Sequence, residues 1–315
     1  MEKVVEAAER IKRLEIQGAT NVAIEAIRAL VEQMKNSEAR DRESVLDEIV
    51  RAKGILFDSR ETEPFMRNAI RYIEWNMRKA EWETTEEFQG QIQGLSDDLL
   101  DELRDARNRI TEVGSRRILD GARIMTHCHS SAVSGILRAA KANGRDFEVI
   151  LTETRPFYQG RITAREMVEA GIAATMIVDS AVRSFMNRVD LVLVGADAIT
   201  SEGNIINKIG TSQVALAAQE ARTPFYVSTE LLKFDPQTIH GDYEAIEERS
   251  PDEIWPEAPE GLSIRNPVFE VVRRDYIHGI ICEEGLISPQ SILEAVRRCY
   301  PWILEASNSW PCPKG

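Results

Sequence analysis

The chain has 315 residues, 43% of them hydrophobic, with a formal net charge of −13 and a pI near 5.0. That length suffices for a large core or for two, since single domains hold roughly 100–200 residues. The acidic balance argues against general nucleic-acid or anionic-membrane binding, which needs a basic face, and leaves room for a small phosphorylated ligand served by a few local cations.

The N-terminus, Met1-Glu-Lys-Val-Val-Glu6, is charged where a signal peptide is apolar, so no export signal is expected. Residues 1–118 read as helices throughout and predict a helical N-terminal domain. Val4, Val5, Ala8, Ile11 and Leu14 recur at helical spacing, as do Val22, Ala23, Ala26, Ile27, Leu30 and Val31. Further helices are predicted over about 41–57, 62–80 and 85–119, with Gly90 and Gly94 as interruptions of the last. Two breaks separate these helices, Glu15-Ile-Gln-Gly-Ala-Thr-Asn21 and Ser59-Arg-Glu-Thr-Glu-Pro64.

From 119 to 315 the pattern changes to short β-rich runs alternating with helical ones. The runs are Arg123–Thr126, Phe147–Leu151, Ala174–Val178, Leu191–Val194, Phe225–Ser228 and Ile277–Cys282. Helices are predicted over about 131–142, 163–170, 180–187 and 211–221. Such alternation predicts an α/β fold with a doubly wound, Rossmann-like parallel sheet. The span 234–266 is irregular, a last helix covers about 289–300, and the tail Asn308–Gly315 is expected to fray. No apolar run approaches the roughly 18 residues of a membrane helix.

Chemistry-bearing residues gather where these strands end. The four cysteines, Cys128, Cys282, Cys299 and Cys312, lack CxxC spacing and suit a reducing cytosol. Cys128, in Thr126-His-Cys-His-Ser130 between a strand and a helix, reads either as a thiolate favoured by helix N–H groups or as a buried structural cysteine. Its flanking histidines make a poor chelate, because neighbours in extended chain point to opposite sides. Asp197, in Gly195-Ala-Asp197, reads as a general acid or base or as a loop-capping residue. Asn207-Lys-Ile-Gly-Thr211 offers a phosphate-neutralising Lys208, or a solvated one, and Thr211 as a helix N-cap. Arg155, held extended before Pro156, either reaches the crevice or pairs with Glu153. Gly18-Ala19 at a helix start lets backbone N–H groups approach a phosphate. Dinucleotide, P-loop and HExxH motifs are absent from the sequence, so neither a nicotinamide nor a metal is expected.

Together, Cys128, Glu153-Thr-Arg-Pro156, Gly195-Ala-Asp197 and Asn207-Lys-Ile-Gly-Thr211 resemble one family in order and spacing. That family joins regulatory subunits of translation initiation factor 2B, methylthioribose-1-phosphate isomerase and archaeal ribose-1,5-bisphosphate isomerase. The resemblance covers nearly the whole chain. It implies an isomerase, because Cys128 and Asp197 fill the catalytic positions that the regulatory subunits generally lack. Thr126-His-Cys-His-Ser130 and Leu232-Lys-Phe-Asp-Pro236 favour the bisphosphate branch. The competing readings are a regulatory binding subunit and the methylthioribose enzyme.

The resemblance implies Cys128 and Asp197 as the catalytic pair, and proton-transfer chemistry then predicts Cys128, as a thiolate, for the base and Asp197, protonated by burial, for the acid. The resemblance also implies a substrate lining of Gln17, Gly18, Ala19, Thr20, Arg60, Ser130, Ser131, Ala132, Asn207, Lys208 and Lys233. It further implies a phosphorylated sugar substrate, no cofactor, AMP as an activator, a homo-oligomer (dimer or hexamer) and a cytoplasmic location. Three positions depart from the family pattern. Gln17 stands for arginine, Glu61 for proline and Ser131 for lysine. Two lost cations predict weaker phosphate binding, and Glu61 would repel a phosphate if it faced the site.

Overall fold

The computed structural model describes residues 1–307 apart from Arg40, Glu61 and 242–245, so the predicted frayed tail, Asn308–Gly315, lies outside the described residues. Five helices come first: α1 (Glu2–Lys12), α2 (Ala19–Lys35), α3 (Arg42–Phe57), α4 (Pro64–Lys79) and α5 (Thr85–Ser115). Their apolar stripes meet in one cluster that fully buries Ile27, Leu30, Phe65 and Ile70. Helix α5 runs unbroken through Gly90 and Gly94. Each glycine costs about 1 kcal/mol against alanine. The reciprocal Thr84–Glu87 capping box and the buried stripe Phe88, Ile92, Leu99 and Leu103 outweigh that cost.

The rest alternates: β1 (Ala122–Thr126), α6 (Ser131–Ala142), β2 (Phe147–Thr152), α7 (Gly160–Glu169), β3 (Ala173–Ile177), α8 (Val182–Met186), β4 (Leu191–Val194), β5 (Ala198–Ile199), β6 (Ile205–Lys208), α9 (Thr211–Ala221) and β7 (Phe225–Ser228). Then follow β8 (Phe269–Val272), β9 (Gly279–Cys282), β10 (Gly285–Ile287), α10 (Ile292–Cys299) and α11 (Pro301–Ser307). Seven strands form one sheet in the order β10-β9-β7-β4-β1-β2-β3. All its pairings are parallel except the β9–β10 hairpin. The chain winds from β1 outward through β2 and β3, then returns to β4 and winds the other way. The crevice between the ends of β1 and β4 is therefore the topological switch point, where open α/β sheets bind ligands.

Successive residues of each inner strand enter opposite cores. Ile124, Val149, Leu151, Leu191 and Leu193 pack on one face. Met125, Ile150, Val192 and Val194 pack on the other, in the same cluster as the N-terminal helices. Burial on both faces is why these strands read as continuous apolar runs.

Strands β5, β6 and β8 form a second, antiparallel sheet that periodicity does not announce. β5 has two residues, and β6 ends in Asn207-Lys208. Asn68 of α4 is fully buried and donates to Leu232 O (2.8 Å) and Phe234 O (2.7 Å), pinning the turn after β7 to the helical region.

Glu283, just past β9, accepts from Leu231 N (3.1 Å) and from the Tyr300 hydroxyl (2.9 Å). Burial nevertheless pushes its carboxyl up from 4.5 to about 7. The native chain therefore holds a proton that the unfolded chain has released. This contribution to stability is present below about pH 4.5 and is lost as pH rises toward 7. Glu283→Gln is expected to flatten melting temperature against pH over this window and to raise stability at about pH 8, by an amount on the order of 3 kcal/mol at most. An unchanged pH slope in thermal melts would refute this account.

Candidate active site

The loop after β1 carries the first group. His127 is buried, its Nδ1 2.7 Å from Thr152 Oγ1 and its Nε2 2.8 Å from Ile209 O. A carbonyl only accepts, so Nε2 carries the hydrogen and Nδ1 accepts from Thr152. Burial holds this imidazole below its ordinary value, and the ring acts as a strut between β2 and the β6–α9 loop. Cys128 follows with φ 68, a left-handed conformation rare for a residue with a Cβ. Its N–H donates to Thr154 Oγ1 (3.0 Å), and its carbonyl accepts from Thr163 Oγ1 (3.1 Å). Ser130 caps α6.

The end of β4 supplies the facing wall. A Cβ at Gly195 would lie 2.6 Å from Ser130 Oγ, so glycine is what lets the β4 end approach the β1 loop. Asp197 comes next, half-buried, with its N–H donating to Ile206 O (2.8 Å). That bond ties it to β6, whose last residues are Asn207 and Lys208. Thr211 does not cap α9 as expected. The N-cap is Gly210 at φ 102, where a Cβ would meet the His127 ring at 2.9 Å. The Thr211 hydroxyl instead donates to Lys208 O (2.5 Å) and accepts from Asn207 Nδ2 (3.1 Å), fixing both site residues. The Lys208 ammonium lies 5.1 Å from the Phe269 ring centroid.

The helical region closes the cavity. Gly18 is the N-cap of α2, which has neither a side-chain cap nor an acid in its first turn. Arg107 of α5 donates to Thr20 Oγ1 (2.7 Å) and lies 3.4 Å from buried Glu230. Lys233 pairs with the same Glu230 (3.1 Å) and donates to Ala196 O (2.9 Å). Burial alone would raise the Glu230 carboxyl; Lys233 and Arg107 outweigh it and hold it below the usual range. Arg60 lies between two carboxylates, 3.5 Å from Glu63 and 3.6 Å from Glu247, and Glu247 accepts from Arg249 Nε (2.8 Å).

These elements surround a cavity of about 340 Å³ lined by Gln17, Gly18, Ala19, Thr20, Arg60, Cys128, Ser130, Ser131, Asp197, Asn207, Lys208 and Lys233. Ala132 does not belong to this wall; one residue further into α6, it is buried in a core cluster. Arg155 neither reaches the crevice nor pairs with Glu153. Its peptide to Pro156 is cis, and its guanidinium bonds the Tyr158 hydroxyl (2.7 Å) and Ile254 O (3.2 Å). Glu61 lies outside the described residues. His129, read in the sequence as a flank of Cys128, is on the wall, and sequence reasoning missed Arg107, Gln159, Arg249 and Phe269, which are there too. Gln159 was within reach, since it lies three residues past the Glu153-Thr-Arg-Pro156 motif. The two arginines add to the cations of the wall, Arg60, Lys208 and Lys233.

The expected thiolate is not the resting state. Burial pushes the Cys128 thiol from 9.0 up to about 11; Lys208 opposes the rise and Asp197 adds to it. The helix N-terminus behind Ser130 does not offset the desolvation of a recessed sulfur. Burial likewise holds the Lys208 ammonium below its ordinary value, while Cys128 and Asp197 favour its charge. Thiol, carboxylate and ammonium therefore feel one another across the switch point, which is an arrangement suited to moving protons on a bound anion.

A family profile described as the Initiation factor 2 subunit family matches residues 15–289. The chain is 45% identical over 292 residues to the ribose 1,5-bisphosphate isomerase of Archaeoglobus fulgidus, covering 92% of this chain and 91% of that one. It is 38% identical to the protein of the same name from Thermococcus kodakarensis, covering 98% of each. Among solved structures it resembles the Pyrococcus horikoshii OT3 translation initiation factor eIF-2B, with a TM-score of 0.79 and 31% identity over 92% of this chain and 98% of that one. By both its sequence and its fold, the chain belongs to the Initiation factor 2 subunit family.

Proposed function

We propose that this chain is an isomerase converting α-D-ribose 1,5-bisphosphate to D-ribulose 1,5-bisphosphate, with Cys128 and Asp197 as its proton-transfer pair. One observation carries the reading. Among the described residues, five cations, Arg60, Arg107, Lys208, Lys233 and Arg249, line the cavity with one carboxylate, Asp197. Glu63, Glu247 and Glu230 pair with four of these cations from behind the wall, so the match lies in donors rather than in net charge: two phosphates engage the guanidinium and ammonium groups on both sides of the cavity, and a monophosphate leaves one side unused. The relatives from Archaeoglobus fulgidus and Thermococcus kodakarensis are ribose 1,5-bisphosphate isomerases, which agrees.

The chemistry balances on these two residues. Cys128 takes the proton from C2 while Asp197 gives one to the ring oxygen, opening the ring to an enol whose O1 stays phosphorylated. Cys128 then delivers its proton to C1, and Asp197 recovers the one on O2 as the ketone forms. Each residue ends as it began, and no hydride acceptor is required. The reactive state arises when the Cys128 thiol proton passes to Asp197 on substrate binding, a transfer that draws nothing from solvent. Gly18 and Ala19 at the α2 N-terminus, with Arg107 and Thr20, suit one phosphate; Arg60 and Arg249 suit the other.

The family resemblance extends the proposal to a cytoplasmic homo-oligomer, dimer or hexamer, acting in AMP degradation that feeds Rubisco, with AMP as activator. No described helix is long and apolar enough to cross a membrane. The test is to incubate pure protein separately with ribose 1,5-bisphosphate and methylthioribose 1-phosphate and to follow ketose formation. Turnover of the bisphosphate alone is expected. Turnover of the methylthioribose compound alone reassigns the substrate, and turnover of neither leaves a binding subunit.

A further inference from the structure

We propose that Glu63 is a positioning residue that holds Arg60 ready in the empty site and takes up a proton when a substrate phosphate claims that guanidinium. This rests on the bisphosphate reading above.

Arg60 is held in an unusual way. Its side chain is 9% exposed, and it sits 3.5 Å from Glu63 Oε2 and 3.6 Å from Glu247 Oε2. Those separations are ion pairs without hydrogen bonds, and both Arg60 Nε and Nη1 are buried without a hydrogen-bond partner. Glu247 Oε2, which faces Arg60, and the other Glu63 oxygen, Oε1, are also buried without one. A buried guanidinium with free N–H groups is costly, and a phosphate gives it the bidentate bonds it lacks.

The two carboxylates then fare differently. Glu247 keeps Arg249, which bonds its other oxygen at 2.8 Å. Glu63 is 2% exposed, and Arg60 is the cation acting on it most strongly. Lys233 from the turn after β7 and Arg67 from α4 act less, and Asp197 beyond β4 opposes them. Burial already pushes the Glu63 carboxyl up from 4.5 to about 7 in the empty site. A dianion on Arg60 removes its main counter-charge and adds a like charge, so the carboxyl moves higher and binds a proton from solvent.

The measurement is calorimetric titration of ribulose 1,5-bisphosphate into Cys128→Ser protein, which blocks turnover, at about pH 8 in buffers of different ionisation enthalpy. About one proton taken up per site is expected, and Glu63→Gln in the same background should abolish the uptake while binding persists. Glu247→Gln should leave it intact. In the active enzyme, KM should rise by up to about tenfold per pH unit between about pH 7 and 9, and Glu63→Gln should flatten that rise. A purely structural role for Glu63 would move neither readout. Equal proton uptake with and without the Glu63 substitution overturns the proposal. If the sugar bisphosphate gives no heat and no turnover, the functional reading fails. The same comparison made with pyrophosphate, which brings a like dianion to Arg60, then decides the role of Glu63.

Discussion

Cys128→Ser and Asp197→Asn are each expected to lower kcat by ~10²–10⁴-fold, the usual worth of a positioned acid or base. KM for the bisphosphate should stay within a few-fold, because in the proposed binding mode the phosphates sit elsewhere on the wall, at Arg60, Arg107 and the α2 N-terminus. The fold should survive both changes. Serine meets the φ of 68 at position 128 no worse than cysteine does, and asparagine is nearly isosteric with the half-buried Asp197. The two variants differ in how they respond to pH. The Cys128 thiol stands at about 11, so losing its proton to solvent would make kcat climb about tenfold per pH unit below that value. Passing the proton to Asp197 leaves the total bound protons unchanged, so wild-type kcat should be flat between about pH 7 and 9. Asparagine accepts no proton, so the residual rate of Asp197→Asn should show the climb that the wild type lacks. Steady-state kinetics across pH decide this. Either variant within tenfold of wild type, or a wild-type kcat rising steadily to high pH, refutes the assignment.

How far the site could be read from residues alone depended on where each residue stood in the chain. Cys128 and Asp197 follow apolar runs directly, and the ends of parallel strands converge at a switch point, so one-dimensional pattern brought them together. Lys208 was legible through its motif, although its strand, β6, was not. Arg107 was hidden in a charged helix between Arg104 and Arg109, where periodicity gives a face but not which arginine reaches Thr20. Arg249 lies in the irregular span, which offers no period to read. Glu63 looked like one more loop acid; its burial comes from α4 packing on the turn after β7. The resting thiol at position 128 was misjudged for a related reason. A helix start favours a thiolate locally, whereas desolvation depends on every element around the cavity.

Lys208→Met is expected to cost ~10²–10³-fold in kcat, as removal of a preorganised charge commonly does. Lys208 is the cation that most opposes the rise of the Cys128 thiol, and its pull on the thiolate exceeds its pull on Asp197, so it favours the thiolate–acid state and the developing enolate nearby. Without it, the thiolate–acid state of the pair becomes harder to reach, and the Cys128 thiol moves above its present value of about 11. Stability should not suffer. Lys208 is 7% exposed and its ammonium is disfavoured chiefly by burial, so an apolar side chain of similar length removes a desolvated charge. Methionine also packs well against the Phe269 ring that lies 5.1 Å from the ammonium. Lys208→Arg should not restore full activity, because the wider fork needs more room than the point charge of a lysine buried beside Phe269. Alkylation rates of the Cys128 peptide against pH, read by mass spectrometry, separate this account from simple misplacement of substrate. The profile should shift to higher pH in Lys208→Met even without substrate, while kcat falls more than KM rises. An unmoved alkylation profile, or a loss confined to KM, would reduce Lys208 to a phosphate anchor and leave Cys128 to be activated by the substrate alone.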